Sequence, residues 1–148
     1  MTRDEIKDYA LDEVPKGWHK VVRGLLGIVA HHMSRFESLE WSRKKSEENS
    51  EEPPSWVVKA LAEFPDGDPA RSFKIYQIKE KFGGLRFYYG PLDDYIDGAV
   101  SMAEAIIWET CQICGEYGEA STEGSIGWIE TLCNDCRCKK NEAIKEKR

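Results

Sequence analysis

Four cysteines near the C-terminus, Cys111, Cys114, Cys133 and Cys136, form two Cys-x-x-Cys pairs with eighteen residues between them. A two-residue gap lets both thiolates of a pair turn toward one ion, and the stretch between the pairs is long enough for a hairpin that returns the second to the first. This is the spacing of a tetrahedral four-cysteine zinc site, against the competing readings of a redox dithiol, disulfides or unconnected thiols. Four protein ligands leave zinc no open position, so the expected cofactor is one structural Zn2+. Cys138 is an odd fifth thiol in the run Cys133-Asn134-Asp135-Cys136-Arg137-Cys138. Its one-residue gap from Cys136 is less usual for a zinc knuckle and places it outside the ligand set, as a bystander on the first turn of a helix. The sharper alternative is a substitute ligand or redox-sensitive thiol, its pKa lowered by the helix N-terminus and the metal.

Little else in the chain points to catalysis. No Ser-His-Asp set, phosphate-binding glycine loop, open metal site or localised carboxylate pair can be assembled, which argues against an enzyme. His32 lies on an apolar helical stripe, where a histidine is more often a packed, hydrogen-bonded residue than a ligand. At 148 residues and 41% hydrophobic content the chain can bury one core plus a zinc-stapled extension. Met1 to Lys16 is polar and acidic, which argues against a secretory signal. The longest apolar stretch, Val21 to Ala30, contains Arg23 and is too short to span a bilayer. With zinc-spaced cysteines, these features lead us to expect a reducing, cytoplasmic location. The formal charge is -6, and four thiolates around one divalent ion add about two more negative charges. Tight non-specific nucleic-acid binding is thereby disfavoured, although Arg137, Lys139, Lys140, Lys145, Lys147 and Arg148 oppose only Glu142 and Glu146 in a basic tail.

The elements that must position these groups follow from periodicity. After the break at Pro15-Lys16-Gly17, the residues Trp18, Val22, Leu25, Val29, His32, Phe36 and Leu39 form one stripe on a long helix. Gly24 and Gly27 interrupt it and are read as places where a neighbouring element comes close. Ser42 to Pro54 is rich in Ser, Lys, Glu and Asn, and predicts a mobile acidic loop near 42–54. Ser55 is expected to cap a short helix with Trp56, Val57, Ala60, Leu61 and Phe64 on its apolar face, stopped by Pro65-Asp66-Gly67-Asp68-Pro69.

Phe73 to Tyr89 predicts a β-hairpin turning at Gly83-Gly84, with Phe82 facing Leu85. That register puts Tyr76, Ile78, Glu80, Phe82, Leu85, Phe87 and Tyr89 on the core face, and turns Lys79, Lys81, Arg86 and Tyr88 outward as a candidate partner-binding patch. Glu80, opposite Phe87, is then a carboxylate at a wet sheet margin, one displaced by a bulge, or a partnered buried group, with the margin preferred. Leu92, Tyr95, Ile96, Ala99, Met102, Ala103 and Ile106 repeat with helical spacing up to the first cysteine, leaving no linker. Trp108 either covers the junction or is an ordinary half-exposed aromatic.

The last segment reads as Cys111-Gln112-Ile113-Cys114-Gly115 knuckle, hairpin with its tip near Glu123-Gly124-Ser125, return strand over 126–132, and a Lys-rich helix opened by the second cysteine pair. Knuckle, hairpin and helix make a treble clef, with the last two thiolates at a helix N-terminus. The predicted class is α+β: residues 1–110 form a body of helices packed on a β-hairpin or small antiparallel sheet, and residues 111–148 a treble-clef zinc module docked on it.

The string Thr131-Leu132-Cys133-Asn134-Asp135-Cys136 and the cysteine spacing resemble the GATA-type zinc finger over residues 111–148. The resemblance implies the fold and the four ligands. It does not carry the DNA reading, because Glu116, Glu119, Glu123 and Glu130 populate the hairpin where such a finger is strongly basic. Nuclease treble clefs of the HNH type need a metal-activating histidine on the module, and none follows His32. A second resemblance covers most of the chain. Lys79-Glu80-Lys81-Phe82-Gly83-Gly84-Leu85-Arg86-Phe87-Tyr88, then a helix, a Cys-x-x-Cys-Gly knuckle and a Gly-Trp…Leu-Cys segment are similar to a family of small proteins encoded by bacteriophages and prophages. It implies a bacterial host cytoplasm and no particular chemistry.

The sequence therefore predicts a non-enzymatic, zinc-stabilised binding protein that engages a host or phage protein. The alternative is nucleic-acid binding through Arg137, Lys139, Lys140 and Lys145, aided by Lys79, Lys81 and Arg86.

Overall fold

The computed structural model describes residues 1–64, 72–123 and 127–147. The proline-rich stop at 65–69, the Gly124-Ser125 tip, Ile126 and Arg148 lie outside the described residues. Near the start, the Thr2 hydroxyl accepts the Glu5 N–H while the Glu5 carboxylate accepts the Thr2 N–H. This reciprocal box closes the short helix α1 (Arg3–Lys7) and holds Ile6 in the core. Polarity alone hid that helix from the sequence reading.

A 3-10 turn at Lys16–Trp18 leads into α2 (His19–Glu48). Trp18, Val22, Leu25 and Val29 are buried as the stripe predicts, and Leu26, Ala30 and Met33 widen it. The loop expected from Ser42 is corrected: helix continues to Glu48, and only 49–54 are irregular. Arg43 reaches Glu40 at 3.1 Å and Glu47 at 2.5 Å, and Lys45 lies 3.8 Å from Glu48. Such i,i+3 and i,i+4 pairs support the extension of a helix whose costly nucleus is already formed. Gly24 and Gly27 also depart from expectation, because nothing lies within 4 Å of where their Cβ atoms would be.

Helix α3 (Ser55–Ala62) follows Pro54, and Ser55 is its first residue rather than a side-chain cap. Proline at that boundary presets the backbone, so the hydroxyl is not needed. Val57 and Phe64 face inward, and Phe64 meets Phe36 with ring centroids 5.9 Å apart, whereas Trp56 is exposed.

Strands β1 (Lys74–Lys81) and β2 (Gly84–Gly90) form the antiparallel hairpin, with a corrected register. Lys81 pairs with Gly84, Glu80 with Leu85 and Ile78 with Phe87, so the turn is Phe82-Gly83. Both turn residues have positive φ, +54° and +75°, the type I′ signature. Since the shift is even, the faces survive: Ile78, Leu85 and Phe87 are buried and Tyr88 is exposed. Phe82, in the turn, is exposed instead of facing Leu85. A bulge between Ile75 and Gln77 ejects Tyr76 and puts Ile75 in the core. Glu80 sits half-buried at the margin, where its carboxylate accepts the Gly83 N–H at 2.8 Å and braces the turn.

Asp93 caps α4 (Asp94–Ile107) by accepting the Ile96 N–H. The buried face is Ile96, Val100, Ala103 and Ile107; Leu92, Tyr95, Met102 and Ile106 of the expected stripe are exposed. Trp18 at the head of α2 reaches Thr110 beyond the tail of α4, and His32 reaches Asp93 at its head, so the two helices run antiparallel. His32 is packed as expected, 3.0 Å from the Asp93 carboxylate and stacked on Tyr95 at 4.3 Å. The core lies between α1, α2, α4 and the inner face of the hairpin. No helix among the described residues is long and apolar enough to cross a membrane.

Candidate metal centre

The chain leaves α4 through Trp108 and Thr110 and enters a knuckle in which the Cys111 N–H donates to Glu116 O at 2.7 Å and the Gly115 N–H to Cys111 O at 3.0 Å. Gly115 takes φ +79°, which lets the backbone double back. The short strands β3 (Glu119–Ser121) and β4 (Glu130–Leu132) then pair antiparallel, Ala120 opposite Thr131. The return strand is thus shorter than the expected 126–132, with residues 127–129 outside it. Helix α5 (Asn134–Glu146) follows at once, capped by Cys133, whose sulfur accepts the Cys136 N–H at 3.4 Å. Knuckle, paired strands and helix occur in the predicted order.

This path brings the sulfurs of Cys111, Cys114, Cys133 and Cys136 to within 4.8 Å of one another, with Cys114 and Cys133 at 3.7 Å. A tetrahedron of ~2.3 Å metal–sulfur bonds has edges of about 3.8 Å, so the four donors fit around one ion. Cys138 is exposed on α5 and outside the cluster. Burial pushes the Cys111 thiol up, but the amides of Cys114, Cys133 and Ile113 outweigh it and bring it down to about 6. Burial and the three neighbouring sulfurs push Cys136 up to about 12. Negative charge therefore settles first on Cys111 and opposes further ionisation, a conflict that a cation at the centre would relieve. Four thiolates suit a soft, tetrahedral ion and not a hard one such as Mg2+ or Ca2+.

The module is fastened to the body by backbone and buried polar contacts. The Gly17 N–H donates to Gln112 O at 2.9 Å, and the Trp18 indole N–H to Thr110 O at 2.7 Å. The Thr131 hydroxyl, fully buried, donates to Gly83 O at 2.9 Å. Within the module, Gln112 and Thr131 are cross-linked: Gln112 N–H to Thr131 O at 2.9 Å, and Thr131 N–H to the Gln112 side-chain oxygen at 2.7 Å. None of these docking residues was singled out for that role from sequence, where Gly17 reads only as a helix breaker. Trp108 lies against Gly84 in the hairpin, its ring 3.3 Å from an ideal Cβ there, and stays half-exposed, so its packing partner is within the body.

The candidate basic residues divide into two groups. Arg137 is buried, with its guanidinium donating to the carbonyls of Glu123, Glu119 and Glu130 at 3.1, 2.8 and 3.3 Å, so it braces the β3–β4 loop. Lys140 is paired with the Glu130 carboxylate. Lys139 and Lys145 are exposed. On the hairpin, Lys79, Lys81, Arg86 and Tyr88 face away from the core as the alternation predicts. Compared with protein-family models, curated proteins and solved structures, the chain matches none of them.

Proposed function

We propose that the chain is a non-enzymatic binding protein whose C-terminal module is held by one structural zinc ion and whose partner is another protein, in a phage-infected or lysogenic bacterium. The observation that carries the reading is the closed set of four thiolates clamped to the body at both limbs of its loop. Four protein ligands suit a structural ion, and the sulfur donors favour zinc among abundant divalent metals. A protein partner is supported by the surface of α2 and α4, where exposed Ile28, Met102 and Ile106 border a groove of about 350 Å³ that also takes in Gly24 and Ala99. The phage origin rests on the resemblance carried by residues 79–88 and the cysteine motifs. Nucleic-acid binding through α5 has less support, since Arg137 and Lys140 are engaged within the module.

Elemental analysis of protein purified without chelator tests the metal, with an expected content of about one zinc per chain; protein that is folded and metal-free overturns it. Met102→Glu tests the surface: a protein that the unaltered chain captures from a bacterial lysate should be lost while the metal content is unchanged. Capture of that same partner by the variant would remove the groove from the reading.

A further inference from the structure

Lys79 and Arg86 stand directly opposite each other on the outward face of the β1–β2 hairpin. Like charges in that arrangement destabilise a sheet, and no ion pair to a carboxylate offsets either of them among the described residues. Lys81 is exposed on the same face. Of the carboxylates at this margin, Glu13 accepts the Gln77 amide at 2.7 Å and Glu80 accepts the Gly83 N–H at 2.8 Å. Aromatic rings alternate with these cations. Tyr88 is 43% exposed, with the Lys79 ammonium 5.9 Å from its ring centroid. Because Leu85 points inward, Gly84 shares the outward face with Arg86 and Tyr88, and the Trp108 indole occupies the space its missing side chain leaves. Trp108 is also 43% exposed. Gly84 and Tyr88 are about 14 Å apart along the strand, with Arg86 between them.

We infer that this face is a platform for single-stranded nucleic acid, on which bases stack against Tyr88 and Trp108 while phosphates contact Lys79, Lys81 and Arg86. An acidic peptide would satisfy the cations and leave the rings unmatched, and a duplex hides the faces of its bases; interleaved rings and cations fit a single strand. The site is separate from the α2–α4 groove and does not depend on the protein-partner reading.

The test is fluorescence anisotropy of the metal-loaded full chain with a dye-labelled oligothymidylate of about eight nucleotides, alongside a polyglutamate peptide. Binding at low salt is expected, with a log–log salt slope of about −2 for three phosphate contacts. Lys79→Glu with Arg86→Glu should abolish it, and Tyr88→Ala should weaken it about tenfold through lost stacking, with unchanged thermal melts for all variants. Three results would overturn the proposal: no binding at low salt; polyglutamate binding as tightly as the oligonucleotide with Tyr88→Ala silent; or loss through Lys139→Glu and Lys145→Glu instead, which would move the site to α5.

Discussion

Adding one methyl group at Gly17 should have the opposite effect to adding one at Gly24. A Cβ on Gly17 would stand 2.1 Å from Cys111 O, 2.7 Å from Gln112 C and 2.8 Å from Gln112 O. All three are backbone atoms, so no rotamer change relieves the contact. The methyl must lift the knuckle off the body, breaking the 2.9 Å bond from Gly17 N–H to Gln112 O and drawing on the buried Trp18 indole bond to Thr110 O. Losing the backbone bond costs about 1 kcal/mol and stranding the indole N–H another ~1–3 kcal/mol, with overpacking adding ~1–3 kcal/mol. The expected loss is about 5 kcal/mol from these terms, a large fraction of the ~5–15 kcal/mol that holds a domain together. At Gly24, by contrast, nothing lies within 4 Å, and alanine should stabilise the helix by about 1 kcal/mol. Urea melts of the metal-loaded variants measure both. Midpoints that move in the same direction by similar amounts would refute the docking geometry, whereas an unfolded Gly17→Ala beside a stabilised Gly24→Ala would support it.

Cys136→Ser should lose or weaken metal binding while Cys138→Ser keeps about one ion per chain, measured by elemental analysis; the reverse outcome would move the fourth ligand to Cys138. Arg137→Ala should lower stability by about 3 kcal/mol, because three carbonyls lose charge-assisted donors, and a thermal melt that does not shift would contradict its buried bracing role. Phe82→Asn should raise stability by about 1 kcal/mol by relieving a left-handed backbone that a bulky residue tolerates poorly, as read from the urea midpoint. Burial raises the Asp93 pKa, but the Ile96 amide and the His32 ring outweigh it and hold it below the usual carboxylate value. Its contribution is therefore full above the unfolded-state pKa and is lost as pH falls below about 4; a stability-against-pH curve for Asp93→Asn should lack that part of the acid loss.

The clustering of the four cysteines was legible because the geometry a metal would need is written into short spacings, two residues within each pair and one return between them. The hairpin was legible in its faces and not in its turn. Gly83-Gly84 satisfies a two-residue turn on local grounds, yet Gly84 is paired with Lys81 and lies beneath Trp108, a contact no local rule contains. Phe82 is left to take a positive φ that its type disfavours. In α4 the apolar arc is wider than the face the body covers, so period alone could not tell buried Val100 and Ile107 from exposed Tyr95 and Met102. Past Ser42, composition suggested a chain too polar to order, whereas Arg43 set between Glu40 and Glu47 carries the helix onward without burying it.

Gln112 lies within the first cysteine pair and Thr131 just before the second; they are bonded to each other, and are each tied to a separate part of the body, one to Gly17 and the other to Gly83. Neither pair of sulfurs can swing aside without first opening one of these ties. Ion exchange then becomes a gated process: at high chelator concentration the rate of metal release levels off at the opening rate of the clamp. The lifetime of an ion held there would then be set by hydrogen bonds that involve no sulfur.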